Sequence, residues 1–220
     1  AGPRSGAVPR KAIRGAPKVD AESGWPVAVP GIEFRGTAAA DVVTPDGTVR
    51  AHEGDVVAEV VTGDDGKAET PELYLGRYEV EETLAPDGYV LNGEPVDVTL
   101  SYAGQEVAVT RAGAVVEDAP QKGVIEIVKT DEADGRAVPG AVYEVTAAAD
   151  IVTPDGTVHA SSGDVVATVT TGDDGTAETA ELYLGDSNVR ATATPAGWAI
   201  AHETPLGEPS YAGQAVKVTR

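Results

Sequence analysis

Residues 37–111 of this chain are repeated at 146–220, and no other feature of the sequence limits the possible folds as much. TAAADVVTPDGTV begins at Thr37 and TAAADIVTPDGTV at Thr146. TGDDG recurs at 62–66 and 171–175, ELYLG at 72–76 and 181–185, and SYAGQ at 101–105 and 210–214. One offset of 109 residues aligns all of these without a gap, and about 46 of the 75 positions are identical. Upstream, KVDAESGWPVAVPG (18–31) matches KTDEADGRAVPG (129–140) once two extra residues are allowed in the first copy. A unit of roughly 100 residues is the size of a domain rather than a solenoid turn. The sequence therefore divides into an arm or linker at 1–15, a first domain at 16–120 and a second at 121–220. The junction lies near Ala119–Gly123.

Within each copy the local pattern is strand and turn. VVAEVVT (56–62), RYEVEET (77–83), PVDVTL (95–100) and QEVAVT (105–110) are Val-rich and alternating, and PDG, GDDG and AGQ punctuate them. Short alternating runs bounded by such turns predict strands, and no stretch sustains a helical period. The expected fold class is all-β, two tandem β-sandwiches.

Composition excludes several functions. There is no cysteine, hence no disulfide, thiolate metal site or Cys nucleophile. His52, His159 and His202 are far apart in polar surroundings, so no metal centre is expected, and no motif calls for a cofactor. A formal charge of −20 disfavours nucleic acid and anionic membranes as partners. No apolar run reaches the roughly 20 residues of a membrane span. Residues 1–18 are the exception to the acidity. Arg4, Arg10, Lys11, Arg14 and Lys18 occur there without an acid, among Gly and Pro, which reads as a flexible basic arm. The chain does not begin with Met and has no signal peptide, as expected of a mature or excised piece. The two GDDG segments read as hairpin turns rather than calcium loops, and Trp25 and Trp198 as core or edge residues. Ser101 and the Ser161–Ser162 pair have no His or Asp partner implied by spacing.

Strand parity puts charge where it is costly. In RYEVEET, Tyr78, Val80 and Glu82 share the apolar face, so Glu82 should point inward. In GVIEIVK, Ile125, Ile127 and Lys129 share a face, and Lys18 is the counterpart of Lys129 in the first copy. In AVVEDAP, Val116 shares a face with Asp118. A buried charge must be paired or neutralised. A one-residue register slip, or a strand end that lets the side chain reach water, would account for each of these equally well.

KVDAESG…VPGIEF, then TGDDGKAETPELYLGRYEVEETLAPDGYVL, then VVEDAPQKG resembles the B-type repeat of collagen-binding adhesins (Cna B-like) and the related domains of Gram-positive pilins. Tyr78, Glu82, Ala85, Pro86, Gly88 and Tyr89 match that family's glutamate-box pattern. The resemblance implies transthyretin-like (prealbumin-like), Ig-like sandwiches. It also implies an internal isopeptide bond, with Lys18 attacking, Asp118 accepting where the family often has Asn, and Glu82 moving the proton. Burial would leave a neutral amine facing a protonated acid, and proximity would supply most of the remaining drive. Glu117 is the rival acceptor if the last strand slips by one.

The second copy departs from this pattern. Lys129 remains, but Ala191 stands where Glu82 would be, and the chain ends at Arg220, before any equivalent of Asp118. The second domain is therefore expected to lack its own bond, with Lys129 vestigial, and to lack its last strand. That strand would lie beyond residue 220 or be lent by the basic arm of another chain. The resemblance implies a non-enzymatic stalk or spacer on the outside of a bacterial cell. Neighbouring domains of a longer surface protein would be its partners. The alternative is an adhesin module that recognises a host protein or glycan.

Overall fold

A computed structural model describes residues 10–15, 18–104, 111–198, 206–207 and 216–219. The chain divides into two compact units, Ala1–Ala119 and Pro120–Arg220. All regular elements among the described residues are strands. In the first unit these are β1 (Arg10–Gly15), β2 (Lys18–Asp20), β3 (Pro26–Val27), β4 (Glu33–Ala38), β5 (Val42–Val43), β6 (Val49–Ala51), β7 (Val56–Val61), β8 (Leu73–Tyr74), β9 (Gly76–Leu84), β10 (Val96–Leu100), β11 (Arg111–Ala114) and β12 (Glu117–Asp118). The second unit holds β13 (Lys122–Gly123), β14 (Ile125–Val128), β15 (Val142–Ala147), β16 (Ile151–Val152), β17 (Val158–Ala160), β18 (Val165–Thr170), β19 (Thr176–Glu178), β20 (Leu182–Tyr183), β21 (Ser187–Ala193), β22 (Leu206–Gly207) and β23 (Val216–Thr219).

The main sheet of the first unit is antiparallel, in the order β10-β9-β4-β7. Its inner face packs against a second layer made of β11-β1-β8 and β12-β2-β3. The alternation read from the sequence is what makes this possible. Along β9, Tyr78, Val80 and Glu82 are buried while the residues between them are not. Tyr78, Val80, Val98 and Leu100 from the main sheet meet Ile13, Leu73 and Ala114 from the other layer. Each large apolar side chain fully buried in this way contributes about 1.5–3 kcal/mol.

The second unit repeats the plan, with β18-β15-β21-β22 as one sheet and β19-β14-β23 as another, around Ile125, Ile127, Val145, Ala177 and Val189. Duplication extends to irregularities. A bulge falls between Gly36 and Thr37 and again between Val145 and Thr146. Thr70 Oγ1 accepts from Ile13 N at 2.9 Å, and Thr179 Oγ1 accepts from Ile125 N at 3.0 Å.

The GDDG segments are turns, closed by Gly66 N donating to Gly63 O and Gly175 N to Gly172 O. The last glycine is required twice over. Gly66 and Gly175 have φ of +68° and +74°, and a Cβ on either would sit 2.6 Å from Val27 O or 2.5 Å from Lys129 O. The turn can therefore pack against the backbone at Val27–Ala28 in the first copy and at Lys129 in the second.

Three sequence expectations are corrected. The basic arm does not extend to residue 15, because Arg10–Gly15 is β1, paired with β8 and β11, and Ile13 is 2% exposed in the core. One apolar side chain among Arg and Lys gives too weak a pattern to read as a strand. The second unit does not leave the place beside its first long strand empty. β23 lies parallel to β14, with Ile125 opposite Val216 and Ile127 opposite Val218. In the first unit the corresponding place beside β1 is held by β11, with Ile13 opposite Ala112. The second unit thus fills the position with residues whose counterparts by the 109-residue offset, 107–110, lie outside the described residues. Among the described residues it has no counterpart of β12. Finally, Trp25 is 65% exposed in the turn between β2 and β3, and Trp198 is also exposed, so of the two readings, core or edge, the core one is removed.

Candidate functional site

β2 is short, and its position is set by its neighbours. It pairs antiparallel with β3, with Lys18 opposite Val27, and parallel with β12, with Val19 opposite Glu117 and Asp20 opposite Asp118. Val19 N donates to Val116 O and Ala21 N to Asp118 O, which fixes the register. Parity then sends Lys18 and Asp20 inward from β2, and Asp118 inward from β12, while Glu117 faces solvent. From the opposing sheet, Glu82 points into the same space. Lys18, Glu82 and Asp118 are 1%, 1% and 0% exposed. The structure therefore brings together the three residues singled out in the first copy and leaves Glu117 outside.

Lys18 Nζ donates a hydrogen bond to Glu82 Oε1 and lies in ion-pair contact with Asp118 Oδ2, without hydrogen-bond alignment to it. Glu82 Oε2 and both Asp118 oxygens have no hydrogen-bond donor. One amine thus faces two buried carboxyls, and two oxygens, Glu82 Oε2 and Asp118 Oδ1, have neither a hydrogen bond nor an ion-pair contact. Orphan buried acceptors cost on the order of 1–3 kcal/mol each. Burial pushes the Glu82 carboxyl up to about 7. The Lys18 hydrogen bond and charge oppose that rise, and the Asp118 charge, with a hydrogen bond that a protonated Glu82 gives Asp118, adds to it.

The sign of that shift makes a prediction. Folded Glu82 keeps a proton that the unfolded chain releases above about 4.5. Its contribution to stability is therefore complete at low pH and is lost as pH rises from about 4.5 to about 7. Lys18→Met removes the two effects that hold the value down, so the loss should deepen and extend above pH 7. Urea unfolding of the Lys18→Met chain at pH 5 and pH 8 checks this. Greater stability of its first unit at pH 8 would contradict it.

Asp20 and Tyr89 also belong to this site, and neither was assigned a role from the sequence. Asp20 is 1% exposed. Its Oδ1 accepts from Glu22 N at 2.8 Å and Ser23 N at 2.7 Å, and its Oδ2 accepts from the Tyr89 hydroxyl at 2.8 Å. The shared parity of Lys18 and Asp20 was the available signal. Segment 90–92 ties down the acceptor strand, with Val90 N donating to Ala119 O at 2.9 Å and Asn92 Nδ2 to Glu117 O at 2.9 Å.

Among its described residues the second unit lacks this arrangement. Lys129 is half-buried, and among the described residues it has no ion pair. Ala191 occupies the position of Glu82, opposite Tyr143 as Glu82 is opposite Phe34. Trp198 replaces Tyr89. No cluster of three His, Asp or Glu able to hold a metal occurs among the described residues.

Comparison with known proteins agrees with the duplication. A family model described as the SpaA prealbumin-like fold domain matches residues 16–113 and again 123–206. No curated protein matches the chain. Among solved structures, the Bacillus anthracis TIE protein is similar over 96% of this chain, with a TM-score of 0.65 and 23% identity, and the chain spans 33% of that protein. A streptococcal ancillary pilin aligns over 97% of this chain and 62% of its own, with a TM-score of 0.41 and 19% identity. The shaft pilin SpaA from Lactobacillus rhamnosus GG aligns over 96% of this chain and 97% of its own, with a TM-score of 0.35 and 12% identity. At these identities the likeness concerns the fold.

Proposed function

Because the chain belongs to the SpaA prealbumin-like fold domain family in both of its units, we propose that it is a structural stalk or spacer segment of a Gram-positive surface protein. Its first unit closes an isopeptide bond between Lys18 and Asp118, assisted by Glu82. The observation that carries this reading is the fully buried Lys18 amine held against two carboxyls whose remaining oxygens have no donors. No ordinary ion pair is built this way, since desolvation of the charges goes uncompensated.

The chemistry balances within the cluster. Lys18 Nζ, as the free amine, attacks Asp118 Cγ, and the C–N bond forms as a C–O bond breaks. Glu82 takes a proton from the nitrogen and returns one to the departing hydroxyl, which leaves as water. A carboxyl that titrates at about 7 can do both near neutral pH. The product is a neutral amide, which removes two charges and one orphan oxygen from the core. Each chain reacts once, so this is self-modification rather than enzymatic turnover. The resemblance to adhesin repeats and pilins supports an extracellular position, with neighbouring domains of the parent protein as partners.

Intact-mass measurement of the purified chain tests the proposal. The wild type should be lighter than its sequence by one water, and Lys18→Ala and Glu82→Ala should have their full sequence masses. Asp118→Asn should expel ammonia and arrive at the same final mass as the wild type, because the amide formed is the same. A wild-type chain at its full sequence mass would sink the proposal.

A further inference from the structure

The buried layer contains one amine and three carboxyls, of which the bond uses two. Asp20 is the third. It sits two residues from Lys18 on the same inward face and directly across the parallel β2–β12 pair from Asp118. A carboxylate so placed is a natural resting partner for the Lys18 ammonium, and pairing there would draw the amine away from Asp118. Lys18 nevertheless contacts Glu82 and Asp118, and Asp20 takes three other donors. Two of these are backbone N–H groups of its own turn. The third, the Tyr89 hydroxyl, comes from seven residues beyond Glu82 and is itself buried at 3% exposure.

Resting on the proposed bond, we propose that Tyr89 is a positioning residue that sets the choice of partner: its hydroxyl occupies Asp20 Oδ2 and so leaves the Lys18 amine to Asp118. The same hydrogen bond ties the lysine strand to the segment that follows Glu82. That segment is tied in turn to the acceptor strand through Val90 and Asn92. The asymmetry between the two aspartates follows. Asp20 accepts three hydrogen bonds, and Asp118 accepts none and has only the Lys18 ion-pair contact. The charged groups facing Lys18 are Glu82 from β9, Asp118 from β12 and Asp20 on its own strand, while β3 contributes only Pro26 and Val27. The second copy keeps the aspartate as Asp131 but has Trp198 in place of Tyr89, and there the glutamate is also gone.

The test follows bond closure by intact mass over time in freshly synthesised full-length chain, across a pH series, with folding checked by circular dichroism. Tyr89→Phe keeps the ring and removes the hydroxyl. It should slow closure by roughly tenfold, the rate equivalent of one hydrogen bond to a charged group. It should also move the pH profile upward, since a freed Asp20 carboxylate holds the lysine proton. Asp20→Asn retains the oxygen that accepts from Glu22 and Ser23. Combined with Tyr89→Phe it should bring closure back toward the wild-type rate. Wild-type closure with an unchanged pH profile in Tyr89→Phe overturns the inference. So does a folded double variant no faster than Tyr89→Phe. A wild-type chain that never loses water removes the bond itself, and this role with it.

Discussion

Glu82→Ala is expected to lower the unfolding free energy of the first unit by about 4–5 kcal/mol, the chain-entropy value for a cross-link closing a loop of about 100 residues. Lys18 and Asp118 lie 100 positions apart, so the bond encloses almost the whole unit. The substitution removes the group that moves the proton but leaves Lys18 beside Asp118, so the remaining pair is still compensated. Lys18→Ala should cost more. It loses the bond and also leaves two buried carboxyls without a cation, a loss on the order of 3–5 kcal/mol that proton uptake relieves in part. Calorimetry of the full chain at pH 7 measures both as shifts of the first unit's transition. If Glu82→Ala and wild type unfold together, the bond contributes nothing to stability.

The wild-type chain should unfold in two steps, the second unit first. Both units have the same sandwich plan, so the difference comes from the site. The second unit has Ala191 in place of the glutamate and, among the described residues, no carboxylate paired with Lys129. A cross-link of the size estimated above separates two otherwise similar transitions by well over 10 °C in units of this length. Limited proteolysis during heating should release peptides from 120–220 while 18–119 remains intact. In Glu82→Ala the two transitions should draw together. A single transition that this substitution leaves unmoved would contradict the difference.

How much the sequence reveals depends on how many consecutive residues share one environment. Tyr78, Val80 and Glu82 lie in a nine-residue strand, long enough for its parity to place the carboxyl inside. Lys18 begins a three-residue strand just after Pro17, too short to show a period of its own. Its orientation was legible only through GVIEIVK in the second copy and through the resemblance. Glu117 and Asp118 form a two-residue strand, where parity cannot choose between them. The choice is made by pairing with β2 and by the Asn92 bond to Glu117 O, both long-range contacts. Asp20 received no reading from the sequence; it opens the turn whose Glu22 and Ser23 amides it caps. Its side-chain partner is Tyr89, 69 positions away. β1 was missed because its apolar content is low, so that pairing with its neighbours decides its conformation. Trp25 shows the converse, with turn geometry keeping a large apolar side chain out of the core.

The parallel pairing of β1 with β11 and of β14 with β23, each an early strand beside a late one, has a mechanical meaning. β1 and β11 run side by side in the same direction, with Ala12 through Gly15 opposite Arg111 through Ala114. β14 and β23 do the same over four residue pairs. Tension that enters through the early strand and leaves through the late one pulls such neighbours past each other along their length. All the rungs between them then resist at once, instead of being peeled away one at a time. β2 and β12 continue the arrangement at Lys18 and Asp118, where a covalent link would carry tension from one strand to the other and leave residues 19–117 out of its path. The second unit shares the shear geometry without that shortcut, so under stretch it is the part that should yield and lengthen.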